Sequence, residues 1–438
     1  MSSVESPRAE LSPRQAPTTT TVIGELDAWA VSGRPRMFPY AVVLGHLRSV
    51  GKHFLADALL DRLGEVRDGL PDGSAAQSLP PERQDGAAFL RGFLDVVLDK
   101  HDDRYDYSSY TALSLLRRPA PADWREALRF RDELLLLLLA DLIRFGQRAL
   151  TGTPDVPHEM PPETELVAKR ERLAVRVMEP AALRVLPGAV DPVAVAAVPG
   201  RTPGTPLAAE VLRTAAPEQS LLLSASVQPV YVLHDEYLFL RTLQSFEATF
   251  TFMSAALAKA VRCLGEYRPE EAAELVGSVA DVLKESLPLF SLLATMRPEA
   301  FRVFREFTEG ASAIQSSGYK TFESLCSTPG TARLDSAAYL SVPAVREQVV
   351  NGQATVQGTW HDLIAAHRLG PAADAALTAA AGRLEAVHQR WKQTHYRLAV
   401  RMIGESSGTG YTEGVPYLAA VLGNRLFPAQ DRHRALVS

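Results

Sequence analysis

The stretch Trp391-Lys392-Gln393-Thr394-His395-Tyr396-Arg397, running on through Arg401-Met402-Ile403-Gly404 to Ser407-Gly408-Thr409-Gly410, decides how this chain is read. Leu384, Trp391, His395, Leu398 and Met402 follow one another at steps of seven, four, three and four. That spacing puts them on one stripe of a helix. Gly404 is placed to end the helix, and the Ser/Gly-rich run after it lets backbone approach a ligand closely. The stripe therefore carries one imidazole beside an indole, followed by a glycine-flanked threonine.

A histidine on an apolar stripe has two readings. The commoner is a hydrogen-bonded core residue; the other is an axial ligand to haem iron. His388, seven residues earlier and on nearly the same face, is a rival ligand, but no Gly-Thr-Gly follows it at the right distance. His361 and His367 lack a suitably placed acid. His101-Asp102-Asp103 reads more readily as a solvated helix end than as a metal cluster. Gly404 to Gly410 has neither the lysine nor the preceding strand of a phosphate loop, and no serine sits in a nucleophile elbow.

The 438 residues hold two or three domains' worth of core. A net charge of −5 leaves no basic footprint for nucleic acid. The two cysteines, Cys263 and Cys326, allow one disulfide but do not make a secreted scaffold or a zinc site. Met1 to Thr21 is rich in Ser, Pro, Thr and Arg without an apolar core, so it reads as a disordered lead-in. The most apolar run, Leu134 to Ala140, is far short of the roughly 20 residues that cross a bilayer. The expectation is a cytoplasmic protein without membrane or nucleic-acid partners.

Four regions are expected: a disordered 1–23, a helical N-terminal domain at 24–151, a Pro-rich connector at 152–227 and a helical domain at 228–438. Tyr40 to Leu63, Ala87 to Lys100 and Trp124 to Leu150 carry apolar residues at helical spacing, with a break from Pro71 to Pro81. Ten prolines between Pro154 and Pro206 argue against long helices in the connector, where Leu173 to Val177 and Val193 to Val198 read as short strands. Beyond Gln228 helices are expected over 235–265, 268–288, 298–307, 315–325, 343–366 and 371–404. The fold class is mainly α.

Taken together, Trp391, His395, the Arg401–Gly404 segment and Gly408-Thr409-Gly410 resemble the signature of the tryptophan dioxygenase superfamily. In that family the histidine is the proximal haem ligand, and the loop threonine meets the substrate's ammonium group. The resemblance implies haem b on His395 beside Trp391, in a helical-bundle haem domain, with Thr409 and Gly410 at the substrate. Upstream, Asp235-Glu236-Tyr237-Leu238-Phe239, with Gln244 and Glu247 after it, looks like the family's distal helix. Its acidic start suits a helix N-terminus. There the phenylalanine packs on the indole, and a histidine four residues later sits over the iron. Here that position is Leu243. Indoleamine dioxygenases also lack this histidine, so dioxygen chemistry stays open. The resemblance makes Phe239, Leu243 and Phe246 the distal wall, although Phe239, Leu243, Phe246, Phe250 and Met253 are equally a plain core stripe by periodicity.

A further block, Met296 to Phe301, Phe304-Arg305-Glu306 and Gly310 to Ser316, is similar to the corresponding dioxygenase run. Where the family has an arginine that clamps the substrate carboxylate, this chain has Lys320, a point charge on a flexible tether instead of a bidentate fork. Ser312 matches a small residue near the haem edge, or is a turn residue. Tyr107-Ser108-Ser109-Tyr110 is similar to a tyrosine pair that, in the family, reaches a neighbouring subunit's pocket.

The resemblance implies a haem b-dependent oxygenase using dioxygen on tryptophan or a related indole or aromatic amino acid. Ring cleavage and a divergent oxidation or rearrangement, as in the pyrrolnitrin-pathway member, both remain open. Leu243 and Lys320 favour the divergent branch and specialised metabolism. A haem sensor or carrier on the same scaffold, and a helical interaction protein without haem, are the other classes. A homodimer is expected.

Overall fold

A computed structural model describes residues 16–71, 81–116, 123–152, 157–186, 205–308, 310–404 and 414–428. Among them every regular element is helical, and a single bridge between Glu159 and Leu233 is the one strand-like pairing. The mainly α expectation stands.

Four helices open the chain: α1 (Thr19–Ala30), α2 (Tyr40–Val50), α3 (Asp57–Asp68) and α4 (Pro81–Val97). Leu26, Leu44, Leu59, Leu63 and Phe93 close a core of their own. The apolar spacing from Tyr40 to Leu63 predicts continuous helix, yet the chain breaks at Gly51, where φ is +86°. A Cβ there would lie 2.7 Å from the Val230 carbonyl oxygen, so only glycine permits this approach. The approach lets the Lys52 and His53 amides donate to the Pro229 and Val230 carbonyls at 2.9 and 3.2 Å. The break therefore welds the N-terminal helices to the chain that enters the centre of the molecule.

A one-turn helix, α5 (Tyr107–Tyr110), is capped by Asp106 and Ser109 in a reciprocal box. It leads to α6 (Trp124–Leu150) and α7 (Thr164–Val185). The strand expectation for Leu173 to Val177 is corrected here, because that segment lies inside α7. Val167, Arg170, Ala174, Val177, Met178 and Ala181 are buried at helical spacing, mostly against α6. This apolar stripe keeps the segment helical even across Pro180, which lies within the helix and withholds one hydrogen-bond donor. Val193 to Val198 lies outside the described residues.

At the centre runs α8 (His234–Gly265), with 32 residues. It packs against α6, against α9 (Pro269–Ser286), and against α11 (Ser317–Cys326), which follows α10 (Pro298–Thr308). The long α12 (Pro371–Ile403) packs mainly on α9, and α13 (Val415–Val421) rests on α12. The helix expected over 343–366 is two helices, Pro343–Val350 and Val356–Ala365, with Gly352 at φ +83° between them. Cys263 and Cys326 are both buried free thiols. Among the described residues no helix is long and apolar enough to cross a membrane.

Because α8 is buried along most of its length, its polar side chains find partners inside the protein. Arg241 is fully buried and pairs with Asp141 of α6. It also donates to Gln244 Oε1 at 2.8 Å and to the Leu223 carbonyl at 2.6 Å. Tyr237 Oη donates to the same Asp141 carboxylate at 2.5 Å. Burial alone would raise the Asp141 pKa, but Arg241, Arg144 and the tyrosine outweigh it and hold the carboxyl below its usual value. Stability from this group is thus present above the unfolded carboxyl pKa and is lost as pH falls through the lower folded value. The Asp141→Asn variant should lose about 3–5 kcal/mol in denaturant unfolding, because Arg241 is left as an uncompensated buried charge. It should also show a shallower loss of stability on acidification than the parent.

Candidate functional site

Between α8 and α12 lies a cavity of about 270 Å³. Phe239, Leu243, Phe246 and Phe250 form one wall, as i, i+3 and i+4 spacing on α8 requires. Trp391, His395, Leu398 and Met402, the stripe read from the sequence, form the other. Phe301 and Phe304 of α10 and Tyr107 and Tyr110 of α5 also border it, as do Ser312 and Lys320. Seven residues singled out from the sequence thus meet in one place: Phe239, Leu243, Phe246, Ser312, Lys320, Trp391 and His395. Thr409 and Gly410 lie outside the described residues. Ile403 and Gly414, on either side of that segment, both border the cavity.

Trp391 ties the two walls together. Its ring meets Phe246 edge-on at 5.9 Å and Phe290 at 5.2 Å, and it stacks on Tyr319 at 5.4 Å. Each such pair adds about 0.5–1.5 kcal/mol beyond area burial. The His395 ring lies nearly parallel to Phe290, centroids 5.8 Å apart, and 5.4 Å from Trp391. None of the described residues hydrogen-bonds to its nitrogens. His395 is half-buried and borders the cavity. Burial lowers its pKa to about 4, leaving a neutral imidazole. A neutral, uncommitted imidazole nitrogen at an apolar cavity is the donor that a haem iron takes, so the residues present fit that group.

The rival His388 is engaged elsewhere: its Nε2 lies 2.7 Å from Tyr319 Oη, and it does not border the cavity. Lys320 is buried, with its ammonium 4.8 Å from the centroid of the Tyr319 ring. Among the described residues no carboxylate pairs with it, because Glu323 is taken bidentately by Arg333 at 2.9 and 3.1 Å. Burial lowers the Lys320 pKa to about 8, partly offset by Glu323.

Sequence reasoning left several contributors out of the candidate set. Tyr107 Oη donates to Glu247 Oε1 at 3.0 Å, and Tyr110 Oη to Glu236 Oε1 at 3.3 Å. Their Tyr-x-x-Tyr spacing was the signal, but the family pattern sends such a pair to a neighbouring subunit, whereas here it borders the chain's own cavity. Glu385 and Lys392 had no signal. Glu385 Oε2 accepts from the Leu426 and Phe427 amides at 2.8 and 3.1 Å, and Lys392 donates to the Val421 and Leu422 carbonyls at 3.2 and 3.0 Å. They strap the chain from residue 415 to 427 along α12.

In haem-free protein, the His395 ring resonances should stay flat from pH 8 down to about 5.5 in NMR titration. A midpoint near 6.5 would place the ring in solvent and remove it from the cavity wall.

No family model matches the chain. It is 27% identical to the tryptophan 2,3-dioxygenase of Ruegeria pomeroyi over 242 residues, which cover 47% of this chain and 86% of that protein. It is 25% identical to the tryptophan 2,3-dioxygenase of Bacillus anthracis, over 44% of this chain and 82% of the relative. The Bordetella parapertussis tryptophan 2,3-dioxygenase is 24% identical, over 47% and 84% respectively. With the two facing stripes and the intervening block around one cavity, these likenesses support the tryptophan and indoleamine dioxygenase superfamily of haem-dependent enzymes for this chain.

Proposed function

We propose that the protein is a haem b-dependent oxygenase that acts on tryptophan or a related aromatic amino acid, in the cytoplasm and in specialised metabolism. The observation that carries this reading is the neutral imidazole of His395, uncommitted and facing an apolar cavity. Haem b bound there supplies the iron chemistry that activates dioxygen. His395 would hold the metal through one ring nitrogen, and Phe290 and Trp391 pack against that ring. Phe239, Leu243, Phe246 and Phe250 would exclude water from the cavity and pack on an aromatic ring. Lys320 receives the substrate carboxylate, and by resemblance Thr409 and Gly410 receive the ammonium group.

Leu243 gives the distal wall no imidazole, so no proton is taken or donated from that position. This supports an outcome other than housekeeping tryptophan breakdown, either oxygen insertion or ring rearrangement. A haem sensor or carrier would share the spectrum but not consume substrate, and turnover under oxygen separates the two.

Haem-loaded protein should show a Soret band that His395→Ala abolishes together with turnover, in a mass-spectrometric screen against indole and phenol amino acids. Lys320→Ala should weaken binding of the accepted amino acid about 10- to 100-fold, the worth of a charge-assisted hydrogen bond. In the parent protein that affinity should fall as pH rises above about 8, where free Lys320 loses its proton. Affinity unchanged by both the substitution and the pH would remove Lys320 from the substrate.

A further inference from the structure

A second, much smaller void lies where α6, α7 and the head of α8 meet, with a volume of about 10 Å³. Phe145, Pro162 and Val167 border it, and so do three polar side chains, Arg170, Glu171 and His234. These three are 7%, 2% and 2% exposed. Each holds polar atoms without a partner: Arg170 Nη1, Glu171 Oε2 and both ring nitrogens of His234. Their other polar atoms are committed. Arg170 Nη2 donates to Asp235 at 2.6 Å, its Nε donates to Thr295 Oγ1 at 3.0 Å, and Glu171 Oε1 accepts from Gln147 at 3.1 Å. His234 Nδ1 is 3.9 Å from Asp235, too far for a hydrogen bond.

We infer that this void is a binding site for one structural water molecule, held jointly by Arg170, Glu171 and His234. Size admits little else, since a volume near 10–15 Å³ is about one water-sized probe. Charge narrows the choice further. The guanidinium edge opposes a cation, and the carboxylate oxygen opposes an anion. A neutral molecule that both donates and accepts satisfies all three groups. It accepts from Arg170 Nη1 and donates to Glu171 Oε2. Its remaining capacity goes to whichever His234 nitrogen faces it. Burial lowers the His234 pKa, so the ring is neutral and able to play either part.

The site has a structural consequence at the catalytic cavity. His234 is the first residue of α8, and its ring packs on Phe145 with centroids 4.3 Å apart. The next residue, Asp235, is held by Arg170 and by the Arg297 amide at 2.8 Å, just before α10. The water therefore completes a knot that fixes the start of the helix from which Phe239, Leu243 and Phe246 project.

A crystal structure of the intact protein at roughly 1.5 Å, fine enough to show ordered buried water, tests the site directly. The expected result is one peak of water strength, 2.6–3.2 Å by ordinary hydrogen-bond geometry from Arg170 Nη1, Glu171 Oε2 and a His234 nitrogen. An empty void, a direct Arg170–Glu171 contact or an ion in the peak would each overturn the inference. His234→Phe keeps the ring on Phe145 but removes the nitrogens, and Glu171→Gln keeps the shape but removes the charge. Each should lower Tm by about 1–3 °C. Combined, their effects should be non-additive, because both act on the same molecule. Strict additivity counts against a shared water.

Discussion

The pairing of Arg241 with Asp141 lies beneath everything else in the molecule. The first half of α8, from His234 to Phe250, is buried almost throughout and offers no solvent face on which to leave its polar side chains. One charge without its partner there would cost more than several apolar contacts return. The carboxylate of Asp141 answers the guanidinium, and Tyr237 shares the same oxygen. At the head of the helix, Glu236 accepts from the Val230 and Tyr231 amides at 2.7 and 3.0 Å. With the polar side of α8 satisfied in this way, its other side presents Phe239, Leu243, Phe246 and Phe250 to the cavity, beside Glu247.

The cavity depends on this division in a second way. Its walls belong to two long helices whose facing stripes are bridged by aromatic rings. Phe246 and Phe250 reach from α8 to Trp391 on α12, while Phe290 supports both Trp391 and His395. A change in the tilt of either helix would move the imidazole relative to the distal wall. Rigid placement of that ring is thus a property of the bundle, with no local loop required.

Much of this could be read from residues alone. The proximal and distal stripes were visible because helical periodicity survives in any sequence that buries one face, and Gly404 ends α12 as its position suggested. Pro180 misled, since a proline signals local disfavour while the burial of Val177, Met178 and Ala181 is tertiary. Gly51 hid its reason as well: the clash it avoids is with Val230, far away in the chain. Glu385 and Lys392 carried no signal, because their partners are backbone groups of a segment that has no pattern of its own. The contacts that escaped notice are those whose cause lies in a distant backbone atom.

The tyrosines of α5 carry the argument one step further. Tyr107 and Tyr110 reach Glu247 and Glu236, two carboxylates on α8 that lie eleven residues apart. Burial raises both phenol pKa values well above their ordinary value, and the neighbouring carboxylates add to the effect. Both hydroxyls thus remain protonated donors across the physiological range. Each donor meets a carboxyl oxygen of α8, the pKa of Glu236 being pushed up to about 8 by burial, and the two contacts together favour this register of α5. The N-terminal helices are already fastened to Pro229 and Val230 through Lys52 and His53. Two separate anchors then hold the chain from the N-terminal helices to α5, whose Tyr107 and Tyr110 border the cavity.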